Sequence, residues 1–98
     1  MPAKKPRESQ ICIVTVTGKD KVGIIARIAN TMAKANINII DVSQRIMAEY
    51  FVMTMACDIA EAALTMDKIQ TRLHKIAKDL NLNITFQNET IFKMMHRV

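Results

Sequence analysis

Glycine and proline are scarce, with two of each in 98 residues. Few chain-breaking residues mean long elements and few loops. No apolar run approaches the ~20 residues that span a bilayer. Residues 1–10 are polar, without the apolar segment and cleavage site of a secretory leader. The expected location is the cytoplasm, with no membrane partner. The two cysteines, Cys12 and Cys57, are far apart and form no C-x-x-C. A zinc or redox motif is therefore unsupported. They read as buried thiols of a reducing compartment, and a disulfide between neighbouring strands would need an oxidising one.

Catalytic signatures are missing too. Gly18 and Gly23 have the spacing of a phosphate loop, but Ile24 and Ile25 stand where that loop needs Lys and Ser or Thr. An acylphosphatase-type site needs an arginine in the loop after the first strand. Arg27 lies a turn or more into a helix, and no nucleophile–base pair is visible. His74 and His96 are single histidines without other ligands at metal spacing. No catalytic residue, metal or cofactor is expected, and the chain is not read as an enzyme.

The net charge of +5 is a nucleic-acid signal only until it is located. Residues 1–10 carry +2, residues 91–98 another +2, and the body between them holds nine basic and eight acidic residues. The surplus lies in the ends, which fits solvated tails better than a duplex-binding face.

What is present is a clear alternation of patterns. Residues 1–9 are polar and read as a disordered arm. Ile11 to Val16 is a β-branched run, a strand buried on both faces. From Val22 to Ala35, Ile24, Ile25, Ile28, Ala29, Met32 and Ala33 make one helical stripe, with Asp20 as its N-cap and Asn36 as its stop. Ile37 to Met47 and Tyr50 to Asp58 are strands joined through Ala48-Glu49. In the first, Ile40, Val42 and Ile46 share one face and Ile37 and Ile39 the other. A second helix covers about 62–80 on the stripe Ile69, Leu73, Ile76, Ala77 and Leu80. Leu82 to Gln87 alternates as a half-buried strand, and a short helical tail follows.

The order β-α-β-β-α-β predicts an α+β fold. It is a ferredoxin-like sandwich, a four-stranded antiparallel sheet with two helices on one face and a short C-terminal helix. Two helices cover one side of the sheet only. Ile11, Ile13, Ile37 or Ile39 would then face water on the other, so a homo-oligomer, most simply a dimer, is expected. Ile91 to Met95 would help to cover apolar surface.

One stretch organises the rest: Thr17-Gly18-Lys19-Asp20-Lys21-Val22-Gly23-Ile24-Ile25. A loop feeding a helix N-terminus offers unpaired N–H groups and the positive end of the helix dipole to a carboxylate. The Asp20 carboxylate or the Asn38 amide oxygen can take an ammonium group. Structural roles compete at each position: Asp20 as cap, Gly23 as packing point, Asn38 as strand start.

The run Val14 to Ala26, followed by Ala35-Asn36-Ile37-Asn38-Ile39-Ile40-Asp41, resembles the ACT-domain family, whose members read as strand, G-x-D-x-x-G-like turn, helix, then an N-I-like strand start. The likeness covers about residues 11–88. It is closest in character to small stand-alone ACT proteins and to the ACT segments of glycine-cleavage regulatory proteins and formyltetrahydrofolate deformylase. It implies an ACT domain over 10–90, between the arm 1–9 and a helical tail 91–98. It also implies a regulatory role, with an amino acid or similar metabolite bound between subunits. Carried over by position, the ligand site is Asp20, Lys21, Val22, Gly23 and Ile24, with Asn38 and Ile39 opposite. Many members have proline where this chain has Val22, so its loop is expected to be less rigid. A partner protein would read the liganded state. Two other functions fit the same topology: a ligand-free protein–protein adaptor, and an RNA-binding module. The latter needs exposed aromatics on the central strands, whereas Tyr50 and Phe51 point to opposite faces and the first strand has none.

Overall fold

The computed structural model describes residues 8–95; most of the expected N-terminal arm and the end of the tail, including His96, fall outside the described residues. β1 (Ile11–Lys19) forms on the β-branched run and lies inside a four-stranded sheet of order β2-β3-β1-β4. Its neighbours are β3 (Tyr50–Asp58) and β4 (Leu82–Asn88), both antiparallel to it. β2 (Asn38–Met47) pairs only with β3 and forms one edge. α1 (Ile24–Lys34) and α2 (Met66–Leu80) pack on one face, and α3 (Glu89–Met95) packs against β1 and β4. This is the ferredoxin-like arrangement that the element order predicts.

The core is the layer between α1, α2 and the sheet. Ile24, Ile28 and Met32 project from α1 at four-residue spacing, and Ile69, Leu73 and Ile76 from α2. They meet Cys12, Val14 and Val16 of β1, Phe51, Met53, Met55 and Cys57 of β3, and Leu82 and Phe86 of β4. Met32, Met53 and Met55 fill the core. Cys12 and Cys57 face each other across β1 and β3 as free, buried thiols.

Four local expectations are corrected. Asp20 does not cap α1: the residue at the cap position is Gly23, with no side-chain bond. α2 begins at Met66 rather than near 62, because the Thr65 hydroxyl accepts the Lys68 N–H at 3.3 Å and sets the first turn there. In β2 a bulge between Ile39 and Asp41 shifts the register by one residue. One extra residue reverses the alternation. Ile39 therefore stands opposite Cys57 and Val42 opposite Met55, both on the helix side, and Ile40 sits at the irregularity.

The fourth concerns the uncovered face. Ile37 belongs to the core and Ile39 packs against it, leaving only Ile11 and Ile13 of the expected apolar residues on the open side. Ile13 is nonetheless buried. It faces Gln87, whose amide donates to Met95 Sδ at 3.0 Å, so α3 folds back over this corner. The middle of the open face is a row of hydroxyls in register, Ser43, Thr54, Thr15 and Thr85, with Thr15 and Thr85 hydrogen bonded. Exposed apolar side chains lie instead along β2, at Ile40, Val42, Ile46 and Met47, and on α3, at Ile91, Met94 and Met95.

Candidate functional site

The β1–α1 loop is held at one end of the sheet by its backbone. The Asp20 N–H donates to the Glu49 carbonyl at 2.9 Å, tying the loop to the two-residue turn between β2 and β3. That turn closes without glycine by placing Ala48 at φ 57°, the left-handed geometry tight hairpins require. Lys19 and Glu49 lie 4.0 Å apart beside it. Lys21 Nζ donates to the Leu80 carbonyl at the end of α2, where the helix dipole favours a cation. The sequence places Lys21 in the site by position. Its anchoring to α2 leaves no signal in the sequence, because the pairing spans 59 residues.

Val22 and Gly23 form the turn into α1. Gly23 has φ 93° and ψ 2°, the dihedrals of the third residue in a type II turn. That position calls for glycine, and the one before it commonly holds proline. Val22 stands there fully exposed, so its side chain contributes nothing to packing. A Cβ added at Gly23 would meet no atom within 4 Å. Its conformation, not crowding by helix and sheet, is what requires glycine.

The resulting helix start is open. The first intrahelical bond runs from the Arg27 N–H to the Gly23 carbonyl at 3.0 Å. α1 has neither a side-chain cap nor an acidic residue in its first turn. By contrast, Thr65 caps α2 and Asp67 lies in its first turn. At α3, the Asn88 side chain accepts the Ile91 N–H at 2.8 Å and Glu89 lies in the first turn. The N–H groups of Ile24, Ile25 and Ala26 thus lack an intrahelical acceptor and sit at the positive end of α1.

Asn38 and Ile39 are at the other end of the same sheet. Asn38 stands opposite Asp58, which stands opposite Ile11 at the start of β1. The loop 20–23 follows the end of β1, eight residues further on, a separation of ~26 Å at ~3.3 Å per residue. Within one chain, Asp20, Lys21, Val22, Gly23 and Ile24 come together, and Asn38 and Ile39 do not join them. Around Asn38 the surface is concave, about 390 Å³ in volume and lined by Ala33, Asn36, Ile37, Asn38 and Glu61. Asn36 takes the left-handed φ of 56°, and its amide donates to the Glu61 carbonyl at 2.9 Å. Asp58 fixes the strand ends here. Its carboxylate accepts the N–H groups of Ala60 at 3.0 Å and Gln10 at 3.1 Å, which hold its pKa below the ordinary aspartate value. Among the described residues no group of three or more His, Cys, Asp or Glu side chains could hold a metal ion. No described helix is long and apolar enough to cross a membrane.

Known proteins share this architecture. A UPF0237 protein of Clostridium acetobutylicum is 48% identical over 86 residues, covering 88% of this chain and 97% of its own. The solved structure of an ACT domain protein from Streptococcus pneumoniae superposes with a TM-score of 0.73 at 30% identity, over 88% of this chain and 97% of that one. A formyltetrahydrofolate deformylase from Pseudomonas syringae pv. tomato superposes with a TM-score of 0.76 at 18% identity; 84% of this chain matches 28% of that enzyme, a likeness of fold alone. The ACT domain model matches residues 10–87. With that match spanning most of the sequence, from the start of β1 through β4, this chain belongs to the ACT domain family.

Proposed function

We propose that this chain is a non-catalytic regulatory domain of the cytoplasm. It binds an amino acid or a similar small metabolite between two copies of itself, beside the β1–α1 loop. The observation that carries the reading is the open N-terminus of α1. Its free N–H groups, set behind the left-handed Gly23, suit a ligand carboxylate. The Asp20 carboxylate, in the same loop, would take an ammonium group.

The edge strand supplies the second copy. β2 is ten residues long, pairs on one side only, and exposes Ile40, Val42 and Ile46. An unpaired edge of this length is a template for another strand. Two copies joined antiparallel through β2 form one continuous eight-stranded sheet. The start of β2 in one copy then lies beside its end in the other, and so near the other copy's β1–α1 loop. Asn38 and Ile39 of one copy thereby approach Asp20 to Ile24 of the second. Ligand binding across that junction would favour the paired state, which a partner protein reads.

Isothermal titration of the full chain against the twenty amino acids, with sedimentation in parallel, tests this. Heat with at least one of them, accompanied by a shift toward dimer, is expected. A stable dimer that gives no heat and no thermal shift with any amino acid favours the ligand-free adaptor. RNA binding has less support. The open face of β1 and β3 carries Thr15 and Thr54 at its centre, and Phe51 is buried in the core.

A further inference from the structure

Between α1 and α2, on the side away from the sheet, runs a groove of about 670 Å³ lined by Ala26, Arg27, Asn30, Thr31, Lys34, Arg72, Lys75 and Ile76. Arg27, Asn30, Thr31 and Lys34 fall at i, i+3, i+4 and i+7, one face of α1. Arg72 and Lys75 supply the facing wall from α2. The antiparallel packing of the helices thus gathers four of the body's nine cations into one cleft. One carboxylate, Asp79, reaches it from the end, 3.0 Å from Arg27 and 3.4 Å from Lys75. The Arg27 hydrogen bond, more than Lys75, holds that carboxyl below its ordinary range. Lys34 and Arg72 have no ion-pair or hydrogen-bond partner among the described residues.

We propose that this groove is a second binding site, independent of the β1–α1 loop, for a small molecule bearing two or more linked phosphates. Arg27 and Lys34 are seven residues apart, ~10 Å along the helix axis. Cations spread along the groove in this way suit an oligophosphate better than a single carboxylate or phosphate. Lys34 and Arg72 contribute charge that nothing among the described residues neutralises. Asn30 and Thr31 offer donors between them, and the Ala26 and Ile76 side chains provide an apolar floor. The volume lies within the usual range of small-molecule sites.

The test is titration of the full chain with inorganic tripolyphosphate, orthophosphate and ATP at constant ionic strength. The wild type is compared with the double variant Lys34→Gln/Arg72→Gln. A second double variant, Lys19→Gln/Lys93→Gln, removes the same charge elsewhere. All four residues are exposed, and unchanged urea midpoints check that both variants fold. Tripolyphosphate is expected to bind at least tenfold more tightly than orthophosphate. The groove variant should lose at least tenfold of that affinity and the control less than twofold. ATP at equal or higher affinity supports a nucleotide ligand and at lower affinity an inorganic one; either retains the site. Tripolyphosphate binding no tighter than orthophosphate, or equally weakened by both variants, overturns the proposal. So does groove-dependent binding of a labelled single-stranded RNA that is tighter than that of tripolyphosphate. Amino-acid titrations are unaffected by the groove variant if the two sites are distinct, so one proposal can fail without the other.

Discussion

Val22→Pro should stabilise this protein, an outcome that rests entirely on the geometry of the loop before α1. Valine at this position is fully exposed, so no packing is lost on substitution. Among the described residues its N–H donates no hydrogen bond, so none is removed. Gly23 after it has the dihedrals of the third residue in a type II turn, and the second residue of that turn sits near the φ that proline enforces. Proline at a compatible position stabilises by ~0.4–1 kcal/mol, because it restricts the unfolded chain. For a domain of this size 1 kcal/mol moves the melting temperature by ~4–8 °C. A rise of about 2–6 °C, with a matching increase in the urea midpoint at unchanged m-value, is expected. Gly23→Ala is the paired control. Open space around Gly23 removes any steric objection, yet φ 93° remains costly for a residue with a Cβ. A loss of ~1 kcal/mol is expected, with Gly23→Asn losing less because asparagine tolerates left-handed geometry. A destabilised Val22→Pro, or a neutral Gly23→Ala, would refute the turn assignment and with it the shape of the proposed carboxylate site.

Further outcomes follow from the core and the strand ends. Ile28→Ala deletes a fully buried side chain between α1 and the sheet and should cost ~2–5 kcal/mol by urea denaturation. Asp58 has its folded pKa lowered by the Ala60 and Gln10 N–H groups. Its contribution is therefore full above the unfolded value, about pH 4, and lost as pH falls through the folded one. The stability gap between wild type and Asp58→Asn should accordingly close in acid. Burial, with Cys12 beside it, pushes the Cys57 thiol up to about 11, and burial also raises Cys12. Neither thiol should react with a thiolate-selective disulfide reagent at pH 8 in the native protein, and both should react in urea.

Much of the fold was legible because it depends on local periodicity. The α1 stripe at Ile24, Ile28 and Met32, the α2 stripe at Ile69, Leu73 and Ile76, and the alternation Phe51, Met53, Met55, Cys57 each repeat with the period of one element. Element order then permitted few topologies. Errors arose where one residue changed a phase or a cap. The bulge after Ile39 has no signature in a run of β-branched residues, and it moved Val42 to the helix side. Ile25 extends the α1 stripe by pattern yet is exposed, about 100° around the helix from the buried line Ile24, Ile28 and Met32.

For the candidate site, the sequence by itself determined the loop. A short loop between a strand and a helix, residues 20–23, needs no distant information, whereas the reason for glycine before Ile24, its φ of 93°, is visible only in the structure. Only the tertiary structure decided what the loop faces. Parallel β1 and β2 place Asn38 at the opposite end of the sheet from Gly23, so the two halves do not meet within one chain, and strand direction within a sheet is a property of the whole topology. Charge divided in the same way. Composition along the chain shows a nearly neutral body, whereas the packing of α1 against α2 collects Arg27, Lys34, Arg72 and Lys75 from segments some forty residues apart into one groove. Local order fixes which side chains an element presents, and only the meeting of elements fixes which charges become neighbours.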